Sequence, residues 1–187
     1  MQLKDAVERR KSVRRFHHAK ANWRKIIRAI DMARFAPAAG NQFVTKFILV
    51  SDKTKIGRIA DAAQQPFIRD AEFLVAAVTD DSKLTSLYGE RGERYARQQA
   101  GAAIQNFLLA LTEQGLVTTW VGHYDDSQVK SVLGVSKETV DAVFPIGKET
   151  AIKVKPQGKK PLETIIYFDK WKNKVMAPKD RVSVEGV

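Results

Sequence analysis

The chain has 187 residues, 44% of them hydrophobic, with 6 prolines and 11 glycines, which fits one globular domain and excludes general disorder. It contains no cysteine, which excludes disulfides, thiol catalysis and cysteine-based metal sites. Lys+Arg number 32 against 21 Asp+Glu, a formal net charge of +11 that attracts nucleic acid, an anionic membrane or a phosphate-bearing small molecule.

That charge is spread along the chain, with denser stretches at residues 9–28 and 148–160. No DNA- or RNA-binding motif accompanies it, and no apolar run reaches the roughly eighteen residues of a membrane span. The opening Met1-Gln2-Leu3-Lys4-Asp5 runs straight into a charged, periodic pattern without the apolar core of a secretory signal, so cytoplasmic residence is expected.

Leu3, Ala6, Val7 and Arg10 recur at helical spacing, which predicts a short helix over 2–10. An extended basic stretch, Arg9 to Phe16, follows. Asn22 caps a second helix over 23–35, whose stripe is Trp23, Ile26, Ile27, Ile30 and Ala33, and Pro37 ends it. Ala38 to Asn41 is a loop of small residues, and Phe47 to Val50 a strand. Residues 53–63 and 64–69 are helical pieces. The continuous apolar run Phe73 to Val78 predicts a central strand. A loop rich in charge and glycine spans 80–92.

The longest helix is expected over 93–114, with Gly115 behind it. Its small residues Ala96, Ala100, Gly101, Ala102 and Ala103 would let another helix approach closely. Thr118 to Val121 is a short strand ending at Gly122. Asp125 or Asp126 caps a helix ending near Leu133-Gly134. Val140 to Ile146 is a strand stopped by Gly147, residues 148–160 are a basic loop, and Thr164 to Phe168 is a final strand. Interspersed helices and strands make this an α+β or three-layer α/β domain.

Three segments could carry chemistry. Arg10, Lys11, Ser12 and Arg14 offer charged donors and a hydroxyl within five residues. Alternation along an extended backbone could bring Arg10, Ser12 and Arg14 onto one phosphate. A solvated basic surface is the plainer reading of the same run. In the loop Pro37 to Asn41, small side chains allow a ligand close to backbone N–H groups, although a mere helix–strand connection fits as well. Gly122, at a strand end, could present its N–H to a flat ligand or simply make a turn. The histidines His17, His18 and His123 lack metal-ligand spacing, and no Gly-x-Ser-x-Gly elbow, P-loop or dinucleotide fingerprint occurs.

Taken in order, these segments resemble the nitroreductase family of FMN-dependent oxidoreductases. The resemblance rests on Arg10-Lys11-Ser12-Val13-Arg14-Arg15-Phe16, Ala36-Pro37-Ala38-Ala39-Gly40-Asn41, Asp70-Ala71 entering a strand, Gly115 to Gly122 after a long helix, and Ile146-Gly147 followed by Lys159-Lys160-Pro161-Leu162-Glu163. It implies a three-layer α/β/α sandwich with a mostly antiparallel central sheet. The domain would cover 1–168, with 169–187 a tail that could wrap a partner subunit. The protein would be an intertwined homodimer with FMN at the interface.

Under that resemblance Arg10, Lys11, Ser12 and Arg14 bind the FMN phosphate and ribityl chain, and Lys159 and Lys160 close on the phosphate. Ala38, Ala39 and Asn41 line the ring, Gln64 lies near its pyrimidine edge, and Val121-Gly122 offers a backbone N–H to flavin N5. NADPH or NADH would reduce the flavin, which would pass hydride to a quinone, a nitroaromatic or a similar small acceptor. No side chain is needed as nucleophile or general base. Flavin reduction, dehalogenation and a non-catalytic FMN-binding module are the alternatives. The loop at 80–92, with Tyr88, Arg91 and Arg94, would be a substrate lid. The chain departs from the family pattern at Ala38, where a serine is usual. It departs again at Phe43-Val44-Thr45, in place of Gln-Pro-Trp, and at Lys159, in place of an arginine.

Overall fold

A computed structural model describes residues 1–17, 20–150 and 158–176. His18, residues 151–157 of the expected basic loop and residues 177–187 of the expected tail lie outside the described residues. The chain forms two compact units, Met1–Val154 and Lys155–Val187.

The first unit is built on five strands: β1 (Phe16–His17), β2 (Thr45–Val50), β3 (Phe73–Thr79), β4 (Val117–Thr118) and β5 (Thr139–Glu149). All four pairings are antiparallel, in the order β1-β5-β3-β2 with β4 also on β5. The helices are α1 (Leu3–Arg9), α2 (Trp23–Ala33), α3 (Lys53–Ala62), α4 (Ser82–Tyr88), α5 (Arg91–Glu113) and α6 (Asp126–Leu133).

The period-2 alternation of strand side chains sorts the core into two layers. Val75 and Ala77 of β3, with Phe144 and Ile146 of β5, pack against Ile26, Ala29 and Ala33 of α2 and Ile104, Phe107 and Leu111 of α5. Leu74, Ala76 and Val78 face the other way, onto Ile56 and Ile59 of α3 and Val129 and Val132 of α6. This is the three-layer sandwich with an antiparallel sheet expected from the sequence. The run Phe73 to Val78 is apolar on both sides because both of its faces are covered.

One bulge interrupts the centre. Ala77 pairs with Ala142 but Val78 with Val140, so Asp141 is the extra residue on β5. Its carboxylate accepts from Thr79 Oγ1 at 2.5 Å and from Arg97 of α5 at 2.9 Å, and Thr79 in turn meets Thr45 Oγ1. The bulge therefore sits on a satisfied polar network at one end of the sheet.

Several local expectations need correction. Residues 80–92 are not a loop: α4 occupies 82–88, anchored by the fully buried Leu84. One apolar anchor among charges leaves no readable periodicity. The long helix starts at Arg91, and its Gly92 lies on the α4 backbone, where a Cβ would fall 2.3 Å from Thr85 N. The last long strand does not stop at Gly147. It runs on to Glu149, because Gly147 leaves room for the Phe16 ring and β1 pairs there. The short strand expected over Thr118 to Val121 is instead Val117–Thr118, and the chain rejoins β5 at a Val121–Val143 bridge.

In the second unit, Thr164 to Phe168 is not a strand. Pro161 begins a 3-10 turn over Leu162–Thr164, and the Thr164 hydroxyl donates to the Pro161 carbonyl. Asn173 Nδ2 donates to the Phe168 and Val175 carbonyls, and Lys174 Nζ to those of Glu163 and Ile166. Strand propensity does not make a strand without a neighbour to pair with.

Replacing Gly92 with alanine should lower stability by about 1–3 kcal/mol, because the methyl overpacks against a backbone that cannot yield. A urea titration that leaves the midpoint of Gly92→Ala unchanged would contradict this packing.

Candidate functional site

The basic segment is tied down by its own backbone. Ser12 bridges Thr118 in parallel, and the Val13 N–H donates to the Thr118 carbonyl at 2.9 Å. Val13 is buried at 1% exposure, whereas Ser12 and Arg14 face solvent and Arg10 is half-buried. Neither Arg10 nor Arg14 has an acidic partner among the described residues, and the Ser12 hydroxyl makes no hydrogen bond there. Two guanidiniums without an acidic partner and a hydroxyl without a hydrogen bond, among the described residues, form a donor set that suits a phosphate. Lys11 differs, because its ammonium is paired with Glu149.

Two further candidates lie beside this segment. The Arg14 guanidinium sits over the Phe67 ring, 5.7 Å from its centroid, which links it to the turn that follows Gln64. The Asp125 N–H donates to the Ala62 carbonyl, which ties the 122–125 loop to the end of α3. Gln64 is exposed and left-handed at φ 52°. It occupies the position after the α3 cap where glycine is usual, with the Gln64 N–H on Asp61 O and the Gln65 N–H on Ala60 O. Holding a glutamine there costs about 1–2 kcal/mol, so its amide is present at a penalty.

Val121 is buried on β5 and Gly122 is exposed, with only the Trp120 indole nearby, 3.7 Å from where a Cβ would sit. Trp120 stands edge-on to Phe144 and is 45% exposed. Thr118, paired with Ser12, and Gly122 are four residues apart, no more than about 14 Å of chain. A flat molecule with a phosphate at one end could follow that edge.

The loop Ala38 to Asn41 is elsewhere. Gly40 and Asn41 both take left-handed φ, 55° and 57°, and the Tyr88 hydroxyl lies 2.6 Å from where a Gly40 Cβ would sit. Ala39 packs on the buried cluster of Val44, Leu84 and Ala96, and the buried Gln99 of α5 holds the chain just after the loop. Its Oε1 accepts from Val44 N at 2.7 Å and its Nε2 donates to the Gln42 carbonyl at 2.8 Å. Sequence reasoning missed Gln99, since a glutamine on a long helix gives no sign of facing inward.

Within one chain the structure does not bring the loop and the basic segment together. Thr118 pairs with Ile146, whereas Thr45 and Thr79 line up at Thr139, about 23 Å away along β5. Along α5 the same separation runs from Gln99 to Gln114, about 22 Å. Lys159 and Lys160 are exposed residues of the second unit.

Around Gly122 the ionisable groups serve structure. Asp125, not Asp126, is the cap of α6; the Ser127 hydroxyl and Gln128 N–H hold its carboxyl below the usual value of 3.8. Burial, then the charges of Asp126 and Asp141, push the Tyr124 phenol up, and its hydroxyl donates to Val140 O at 2.7 Å. The small residues of α5 are spent inside the chain: Ala96 packs with Leu84 and Ala103 lies in the α2–α5 core, which leaves Gly101 and Ala102 half-exposed. Among the described residues, no three His, Asp or Glu side chains gather to hold a metal ion, and no helix is long and apolar enough to cross a membrane.

This fold, helices on both faces of a small antiparallel sheet with an open basic edge, is that of the flavoprotein nitroreductases. Residues 57–148 match the family model described as Nitroreductase family. The iodotyrosine deiodinase of Thermotoga neapolitana is 24% identical over 161 residues, covering 77% of this chain and 87% of that protein. A nitroreductase family protein of Clostridium novyi NT superposes with a TM-score of 0.75 at 23% identity, covering 92% of this chain and 96% of its own. The NADPH:FMN oxidoreductase of Vibrio harveyi, solved with NAD+, gives a TM-score of 0.78 at 18% identity over 91% of this chain and 78% of its own. The chain thus has the nitroreductase fold, and its residues 57–148 match the nitroreductase family.

Two expectations follow from this geometry. Gln99→Leu should destabilise the protein by about 1–3 kcal/mol, since the Val44 N–H and Gln42 carbonyl lose a buried partner. An unaltered thermal midpoint would contradict that. Gln64→Gly should raise the midpoint by relieving the left-handed strain, and a fall would show that the glutamine conformation is unstrained.

Proposed function

We propose that this chain is an FMN-dependent oxidoreductase acting as a homodimer, with NADPH or NADH as reductant and a quinone, nitroaromatic or similar small molecule as acceptor. The observation that carries the reading is the unpaired donor set Arg10, Ser12 and Arg14, held by Thr118 on the edge that leads to Val121-Gly122. Arg10 and Arg14 would grip the phosphate, Ser12 would add a hydroxyl, and the Gly122 N–H, without a partner among the described residues, would meet the ring. Bound FMN would supply the hydride relay between nicotinamide and acceptor.

The separation of Ala38, Ala39 and Asn41 from this edge supports a site shared by two copies. A second chain running the opposite way would bring its own loop to the first chain's basic segment. An apolar cleft of about 340 Å³, with Leu3, Met32, Phe35 and Leu109 on its walls, supplies a surface to cover. Leu3 and Phe35 are 73% and 61% exposed in the single chain. A dehalogenase reading has one specific support, the deiodinase relative. It predicts turnover with halogenated phenols in place of quinones.

The protein, saturated with FMN and washed, should keep its flavin bands and bleach when NADPH or NADH is added without oxygen. Retention without bleaching by either nicotinamide would leave a binding module, and no retention would overturn the FMN site. Arg10→Ala and Arg14→Ala should each weaken FMN by about tenfold to a hundredfold and leave riboflavin unaffected. Mixing an Arg14→Ala chain with an Asn41→Ala chain should create flavin sites that neither has alone. If mixing adds no sites, the two-copy arrangement is wrong.

A further inference from the structure

Lys11 stands in the middle of the donor run, yet among the described residues it is the one cation there with a carboxylate partner. Its Nζ lies 2.5 Å from Glu149 Oε1, with the side chains only 23% and 33% exposed. No hydrogen bond reaches that buried carboxylate oxygen among the described residues, so the ammonium is what faces it. Glu149 is the last residue of β5 and pairs in register with Phe16.

The alternation of an extended backbone explains the division of labour. Lys11 and Val13 turn toward the sheet, the first half-buried and the second buried, while Ser12 and Arg14 turn out. The segment is thus held at Lys11 by charge, at Val13 by its N–H on Thr118 and at Phe16 by packing on Gly147. The Lys11 hold is the one nearest Arg10 and Ser12.

We propose that Lys11 and Glu149 form a positioning pair for the phosphate donors, and that Lys11 is not itself a phosphate ligand. The proposal rests on the FMN reading above. It makes a prediction opposite in sign to simple electrostatics. Glu149→Gln removes a negative charge beside a cationic site, which should tighten an anion if charge alone mattered. Loss of the pair frees the segment, and because small misplacements of binding groups are costly, FMN affinity should instead fall by at least about tenfold. Riboflavin, which lacks the phosphate, should bind as before.

The test is titration of the full-length apoprotein with FMN and with riboflavin, read by quenching of flavin fluorescence. The variants are Glu149→Gln, Lys11→Met and the exchange Lys11→Glu with Glu149→Lys, each checked for its fold by circular dichroism. Weaker FMN with unchanged riboflavin in the single variants, recovered in the exchange, is the expected result. Tighter or equal FMN binding by Glu149→Gln would overturn the proposal and make Lys11 a direct ligand or a bystander. Failure of the exchange to recover affinity would overturn it too. If Lys11→Met does not fold, Glu149→Gln and the exchange decide. If the unaltered protein binds no flavin, the FMN reading itself has failed.

Discussion

Three of the other four strands hydrogen-bond directly to the eleven residues from Thr139 to Glu149, and the fourth joins through β3. This strand is the spine on which the protein depends. Its middle lies between two hydrophobic layers. One end carries the threonine, aspartate and arginine network, and the other receives β4, β1 and the basic segment. Its length sets how far apart the two polar ends of the domain must be.

That distance gives the candidate site its character. The cationic donors gather where β5 ends, and the left-handed loop at Gly40-Asn41 lies where β5 begins. A rigid sheet and a helix of 23 residues hold the two apart, so no small side-chain movement could join them. Any ligand that used both would need two chains. The apolar surface on α1 and α2 is the kind that a single soluble chain seldom leaves uncovered.

Each end is kept in place by contacts between separate elements. Gln99 reaches from α5 to the chain after the loop, Gly92 lets α4 lie directly on α5, and Gly147 accepts the ring of Phe16. At the basic end, Thr118 and Glu149 do the same for residues 11–13. In such an arrangement Ser12 and Arg14 stay exposed while their neighbours Lys11 and Val13, alternating along the backbone, carry the anchoring.

Local chemistry made much of this legible from the residues alone. The helix over 23–33, the two-sided apolar run at Phe73 to Val78 and the caps at Asn22 and Gly134 express short-range preferences, and they stand in the structure as expected, although Trp23 and Ile27 of the expected stripe are exposed. Pairing across long stretches of chain was not legible. Only the tertiary structure decided that Lys11 belongs to Glu149, that α4 forms around a single buried leucine, and that Thr164 to Phe168 does not become a strand. It also decided that the loop and the basic segment sit at opposite ends of one chain. The reason is physical: periodicity and capping are settled by neighbours a few residues away, whereas the partner of a charge or a strand edge is settled by which distant segment the packed core brings against it.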